Sequence, residues 1–146
     1  MCIYIINKLI YGYANKDPSY THILENREIW FIPIINIDAY LFIEKNYKST
    51  SQIVFISKNL RTDSFTNASN CGNYGFGVDL NCNFPFQYKT STQGGCSNDP
   101  CNPFYRGQEG LSEKETKTID SFLQQHDFNI GVNYFRFLMN FLELIY

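Results

Sequence analysis

The residues able to do chemistry are concentrated between positions 71 and 115 of this 146-residue chain. Cys71, Cys82, Cys96 and Cys101 fall there, with Cys82 set between Asn81 and Asn83 in the stretch GVDLNCNFPF, residues 77–86. Tyr105-Arg106-Gly107 follows, then the acidic pair Glu113 and Glu115. A thiolate can attack a carbonyl, but it needs a base and a group that orients the base. The two histidines, His22 and His126, stand on expected helical stretches with no motif around them, and read as ordinary surface or helix-end residues. Cysteines can hold zinc, but no C-x-x-C pair is present and both histidines lie far off in sequence. One or two disulfides are the favoured reading, and they imply an oxidising compartment. The sequon Asn67-Ala68-Ser69 agrees with that weakly. Cys82 reads as an unpaired thiol or a partner of Cys96 rather than a nucleophile.

Bulk properties narrow the class. At 44% hydrophobic and 17% aromatic, the chain fits one globular domain rather than a disordered segment. A net charge of −2 leaves no basic footprint for nucleic acid. The longest apolar runs are too short to cross a bilayer, so no membrane partner is expected. The N-terminal MCIYIINKLIYGYANKD carries Lys8 inside its apolar run and no charged head, which makes a poor signal peptide. The cysteine pattern and the missing leader disagree; one resolution is a true N-terminus that lies elsewhere.

The elements that must position these residues follow from periodicity. Ile5, Ile6, Leu9, Ile10 and Tyr13 fall at helical spacing and predict a helix over 3–13. Asp17-Pro18-Ser19 is a turn, with a further helical turn over 19–26. Glu28 to Ile35 is dense in Ile, Phe and Trp and reads as a buried strand of a parallel sheet. The chain leaves that strand at Asn36, and residues 50–57 read as another short strand. From Arg61 to Gly110, Asn, Gly, Ser, Pro and Cys dominate, and so long a loop points to function or to disulfide stapling. Ser112 and Glu115 form an expected capping box for a helix whose stripe is Ile119, Phe122 and Leu123. Asn129 to Phe135 reads as a final strand. Strand, loop, helix and strand in that order suggest an α/β sheet.

Several stretches together carry a resemblance: EIWFIPIINIDAY (28–40), SKNLR (57–61), GVDLNCNF (77–84), PCNPFYRG (100–107), SEKET (112–116) and NIGVNYF (129–135). In order and spacing the chain resembles the zinc metallocarboxypeptidases of the pancreatic carboxypeptidase A type. The resemblance implies a mixed, mostly parallel sheet with helices on both faces, of which this chain is a central portion truncated at both ends, with the tail 136–146 diverging. It implies removal of C-terminal residues from peptides by a zinc-bound water. Zinc is the family's cofactor and peptide C-termini are its partners. A secreted or lumenal location is implied too.

Carried over position by position, the resemblance exposes losses. The H-x-x-E zinc motif is expected before residue 1. The third zinc ligand falls at Phe135, and a phenyl ring cannot bind a metal. The arginine that stabilises the oxyanion falls at Ser57; Arg61 stands nearby, but reaching into the site is the less favoured of its readings. Asn81 matches the asparagine that helps to hold the substrate carboxylate. Its arginine neighbour is replaced by Cys82, and a thiol carries no fixed positive charge. The clamp tyrosine and the general-base glutamate are expected beyond Tyr146. Cys71 and Cys101 resemble the family's loop disulfide. Asp79 and Asn83 read as loop-holding residues, Asn36 and Asp38 as turn-shaping ones, and Tyr105-Arg106 as a pin for the long loop. The expectation is a chain that binds no zinc and is inactive as written. The alternatives are a non-catalytic peptide-binding domain and a decaying gene fragment. Oligomeric state is not legible.

Overall fold

The computed structural model describes residues 2–53, 56–62, 71, 76–86, 88 and 95–133, together with the backbone of 142–144. The chain divides into two compact units, one of residues 1–35 and 129–146, the other of residues 36–128.

In the first unit, helix α1 spans Cys2–Ala14, in agreement with the apolar spacing. Helix α2 spans Pro18–Asn26. Asp17 precedes a proline, which keeps it extended (φ −63°, ψ 123°), and its carboxylate accepts a hydrogen bond from the Ser19 amide. The two helices approach closely at Gly12, where a Cβ would stand 2.2 Å from Tyr20 Cδ2. The expected strand at Glu28–Ile35 is not formed: these residues have no regular structure, and Trp30 is 49% exposed. A central strand exists only between partners, and no described strand pairs with this run. At the other end, β1 (Gly131–Asn133) pairs antiparallel with β2 (Leu142–Leu144), Val132 opposite Glu143. That places a strand within the expected 129–135, though Tyr134 and Phe135 lie outside the described residues. The pairing is antiparallel, so the mostly parallel sheet is not seen among the described residues.

The second unit opens on a helix where a turn was expected. Helix α3 spans Ile37–Thr50. Asn36 caps it, its Oδ1 accepting from the Ala39 amide at 3.0 Å. Ile37 and Ala39 stand where the family pattern has Pro and Gly, so the two strongest helix breakers are gone. Asp38 in the first turn and Lys48 in the last suit the helix dipole, and Ser51 ends the helix in a left-handed conformation. Residues 51–53 and 56–57 form no strand; 54 and 55 lie outside the described residues. Strand-like pairing begins one residue later, where Lys58 bridges Asp79 antiparallel.

The long loop contains a 3-10 turn at Leu80–Cys82 and a parallel bridge from Ser97 to Tyr105. Helix α4 spans Lys114–Gln124. The expected capping box is not formed, because Glu113 occupies the N-cap with no side-chain cap bond. Ser112 Oγ instead donates to Glu113 Oε1 at 2.7 Å, and Glu115 faces Asn59. Ile119, Phe122 and Leu123 are only half-buried, whereas Thr116 is fully buried.

Among the described residues, the buried apolar side chains are Ala39, Val78, Leu80 and Tyr105, all in this second unit. Buried beside them are Lys58, Asn59, Asp79, Asn83, Glu113 and Thr116. Where polar groups make up so much of the interior, hydrogen bonding must fix the backbone closely. Gly77 shows how closely: at φ +74° a Cβ would stand 1.6 Å from the Asn59 carbonyl oxygen. Gly95 has a similar φ of +79° but open space around it. Gly95→Ala is therefore expected to cost about 1 kcal/mol of backbone strain. Gly77→Ala is expected to cost at least about 4 kcal/mol, because a backbone clash adds to the strain. Urea unfolding of the two variants checks this, and equal losses would contradict it.

Candidate functional site

Three of the positions singled out in the sequence, Ser57, Asn81 and Cys82, gather around the Lys58–Asp79 bridge. The Asn59 amide donates to the Val78 carbonyl at 2.9 Å, and the Gly77 amide to the Arg61 carbonyl at 3.0 Å. This short ladder sets SKNLR against GVDLN. On the other side, the Asp79 amide donates to the Tyr105 carbonyl at 2.7 Å, which brings PFYRG alongside.

Asp79 organises the turn that carries the pair Asn81-Cys82. Its Oδ1 accepts from the Asn81 amide at 3.2 Å and its carbonyl from the Cys82 amide at 3.0 Å. The carboxylate is 3% exposed. Burial raises its pKa above the usual carboxylate value, against hydrogen bonds from Asn81 and Ser57 and the nearby charge of Lys58. Lys58 is buried too, and burial pulls its pKa down to about 8. Its Nζ donates to the Pro100 carbonyl at 2.7 Å and lies 5.4 Å from the centre of the Tyr105 ring.

Each of these positions has its own partners. Ser57 stands where the resemblance puts the oxyanion arginine; its hydroxyl lies 3.2 Å from the Pro103 carbonyl oxygen and reaches the Asp79 carboxylate. Asn36 Nδ2 donates to the Ser57 carbonyl at 2.8 Å, so the cap of α3 also holds this residue. Asn81 presents an exposed side chain. Cys82 is joined to Cys96 by a disulfide, with Cα atoms 5.7 Å apart, so the thiol is not free to act as a nucleophile. A second disulfide joins Cys71 to Cys101, and Cys2 is the free cysteine. Arg61 Nη1 donates to Glu113 Oε1 at 2.8 Å and to the Ser112 carbonyl at 3.1 Å. Phe135 lies outside the described residues. His126 stacks on Phe122 with centroids 4.4 Å apart, and His22 lies 3.4 Å from Asn26 Nδ2 on α2.

Sequence reasoning missed the centre of this arrangement. Asn83 is wholly buried. Its Nδ2 lies 2.9, 3.0 and 2.8 Å from the Arg106 carbonyl, the Glu109 carbonyl and Ser112 Oγ. Its Oδ1 accepts from the Glu113 amide at 3.2 Å and from Thr116 Oγ1 at 2.6 Å. Asn59 makes a second centre: Nδ2 donates to Glu113 Oε2 at 2.8 Å, and Oδ1 accepts from the Val78 amide at 2.8 Å. Glu113, expected as a helix-capping residue, thus ties Asn59, Arg61 and Ser112 to the head of α4. The only signal available was the coincidence of SEKET with asparagines in SKNLR and GVDLNCN, and spacing alone cannot pair them. Tyr105 is 4% exposed and Arg106 stacks over the Tyr88 ring while its guanidinium donates to the Tyr88 carbonyl, so this motif pins the loop.

With this geometry in place, the comparisons with known proteins fall into line. The zinc carboxypeptidase family model matches residues 1–137. Mouse (Mus musculus) carboxypeptidase A4 is 27% identical over 124 residues, 85% of this chain and 26% of that protein. Bos taurus carboxypeptidase B is 28% identical over 125 residues, 86% of this chain and 26% of the relative. Mouse mast cell carboxypeptidase A reaches 32% over 111 residues, 76% of the chain and 23% of the relative. The chain belongs to the zinc carboxypeptidase family, whose fold class is α/β. It spans about a quarter of the length of the curated relatives it matches.

Zinc is the cofactor of that family. Among the described residues, no three His, Cys, Asp or Glu side chains are grouped to hold a metal.

Loss of the buried amide is expected to be far more damaging than loss of its exposed neighbour. Asn83→Ala strands the Glu113 amide, at about 1–3 kcal/mol, and takes a donor from the carbonyls of Arg106 and Glu109. Asn81→Ala removes an exposed side chain and is expected to change stability by less than about 0.5 kcal/mol. Thermal melts of the two variants check this ordering.

Proposed function

We propose that this chain is a section of a metallocarboxypeptidase-type domain that keeps the framework of the substrate-carboxylate site and has lost the charges that make it work. By family, the activity is zinc-dependent removal of C-terminal residues from peptides. The reading for this chain is that it neither hydrolyses peptides nor holds the catalytic zinc. The observation that carries it is the Cys82–Cys96 disulfide. A cystine sulfur at the clamp-arginine position has no positive charge and no planar fork of donors to meet a carboxylate. Ser57 and Phe135, at the oxyanion-arginine and third-ligand positions, point the same way.

The finer features of the family belong to the same proposal. Residues 28–35 and 129–135 would lie in a mixed, mostly parallel sheet with helices on both faces within the whole domain. The substrates would be peptide C-termini, and the location secreted or lumenal, in keeping with two disulfides. A second reading, a binding module that recognises peptide ends without cutting, is favoured by one observation: Asn81 keeps an exposed side chain on its ordered turn.

The test uses the oxidised chain with added zinc and two peptides, one with a free C-terminus and one amidated. The expected outcome is no release of the C-terminal residue and equal, weak binding of both peptides. An intact clamp would favour the free acid by about 3 kcal/mol, roughly 100-fold in Kd. Zinc-dependent release would overturn the proposal, and a free-acid preference of that size would select the binding module.

A further inference from the structure

We propose that Lys58 is a proton-operated clasp between the SKNLR segment and the loop 97–105, tight when its amine is neutral and loosened when the amine takes up a proton. The inference does not depend on the reading above.

Three observations carry it. First, the amine is placed inside the protein and against the loop. Lys58 is 1% exposed, and its backbone is fixed by the bridge to Asp79. Its Nζ donates to the Pro100 carbonyl at 2.7 Å and lies 5.4 Å from the centre of the Tyr105 ring. Second, the loop is closed on itself and can move as a unit. The Ser97 amide donates to the Phe104 carbonyl at 2.9 Å, and the Arg106 amide to the Ser97 carbonyl at 3.0 Å. It meets the ladder through the Asp79 amide on the Tyr105 carbonyl, the Ser57 hydroxyl beside the Pro103 carbonyl, and the Lys58 amine on Pro100. The disulfide from Cys71 to Cys101 tethers the loop, so the motion is a local opening rather than a release. Third, the charges around the amine do not make up for the water it has lost. The titratable groups that face it are Asp99 on the loop, Asp79 on the ladder, and Tyr105 through its ring. The two carboxylates favour the ammonium form, yet burial outweighs them and pulls the pKa from 10.5 to about 8.

The direction of the response follows from linkage. When the loop opens, the amine reaches water and recovers its ordinary pKa. Between about 8 and 10.5 the closed loop therefore binds fewer protons than the open one, and raising the pH favours closure. Below about 8 the amine is charged in both states, and the closed loop carries the full penalty of a buried ammonium. Near neutral pH the clasp is thus in its weaker state, and it tightens as the medium turns alkaline.

The test follows hydrogen exchange of the Ser97 and Arg106 amides in the full oxidised chain from pH 7.5 to 9.5, each rate divided by the intrinsic rate at that pH. Protection should rise about twentyfold across this range, the effect of one proton lost from a group of pKa about 8 when closed and 10.5 when open. In Lys58→Met, which keeps the apolar stem and has no proton to lose, protection should not change with pH. A flat profile in the unsubstituted chain would overturn the proposal. So would the same rise in Lys58→Met, because another group would then be driving it. Carbon-13 NMR of the Lys58 Cε, read in the unsubstituted chain, gives an answer even where the variant does not fold: a midpoint near 8 supports the clasp, and one near 10.5 overturns it.

Discussion

Asn83 is wholly buried, and a side-chain amide in that position must find all its hydrogen-bond partners within the protein. It finds them in the carbonyls of Arg106 and Glu109, in Ser112 and Thr116, and in the amide of Glu113. The whole stretch 106–116, 23 to 33 residues further along the chain, is therefore fixed to one residue. The consequence runs outward: Glu113, placed by Asn83, in turn receives Asn59 and Arg61, and Asn59 holds Val78. The ladder that displays Asn81 and Cys82 hangs on this network.

Such an interior is demanding, because a buried polar group left without a partner costs more than a well-made bond contributes. The arrangement therefore tolerates change at its margin better than at its centre. Ser57 and Cys82 stand on the margin: Ser57 meets the Pro103 carbonyl and Asp79, and Cys82 is bonded to the sulfur of Cys96. Substitution at such marginal positions can leave the surrounding geometry in place for this reason.

Much of this was legible in the sequence, and the rest was hidden for physical reasons. The apolar spacing of α1 is a local signal and led to the right element, while Pro18, read as part of a turn, opens α2, which was expected as a single further helical turn over 19–26. The ordered motifs from EIWFIPIINIDAY to SEKET led to the family, because spacing between motifs survives when single residues change. The run at 28–35 forms no strand here because apolar density reports what a segment would bury, while strand formation needs partners. Helix α3 was missed because the family's turn was expected, although Ile37 and Ala39 had removed the breakers that enforce it. The capping box at Ser112 failed because both of its side chains had longer-range partners, which no local rule can anticipate. Asn83 was read as a loop-holding residue, but its role as the centre of the network depends on contacts 23 to 33 residues away.

Native-state amide hydrogen exchange tests the central claim most directly. If the Asn83–Glu113–Asn59 network holds the second unit together, the amides of Asn59, Val78, Asp79, Leu111 and Glu113 should exchange together, at the slowest rates, through global unfolding. The amides of the largely exposed helix α3 should exchange faster, by local opening. If those five amides exchange as fast as α3, or at unrelated rates, the network does not hold the fold and the account is wrong.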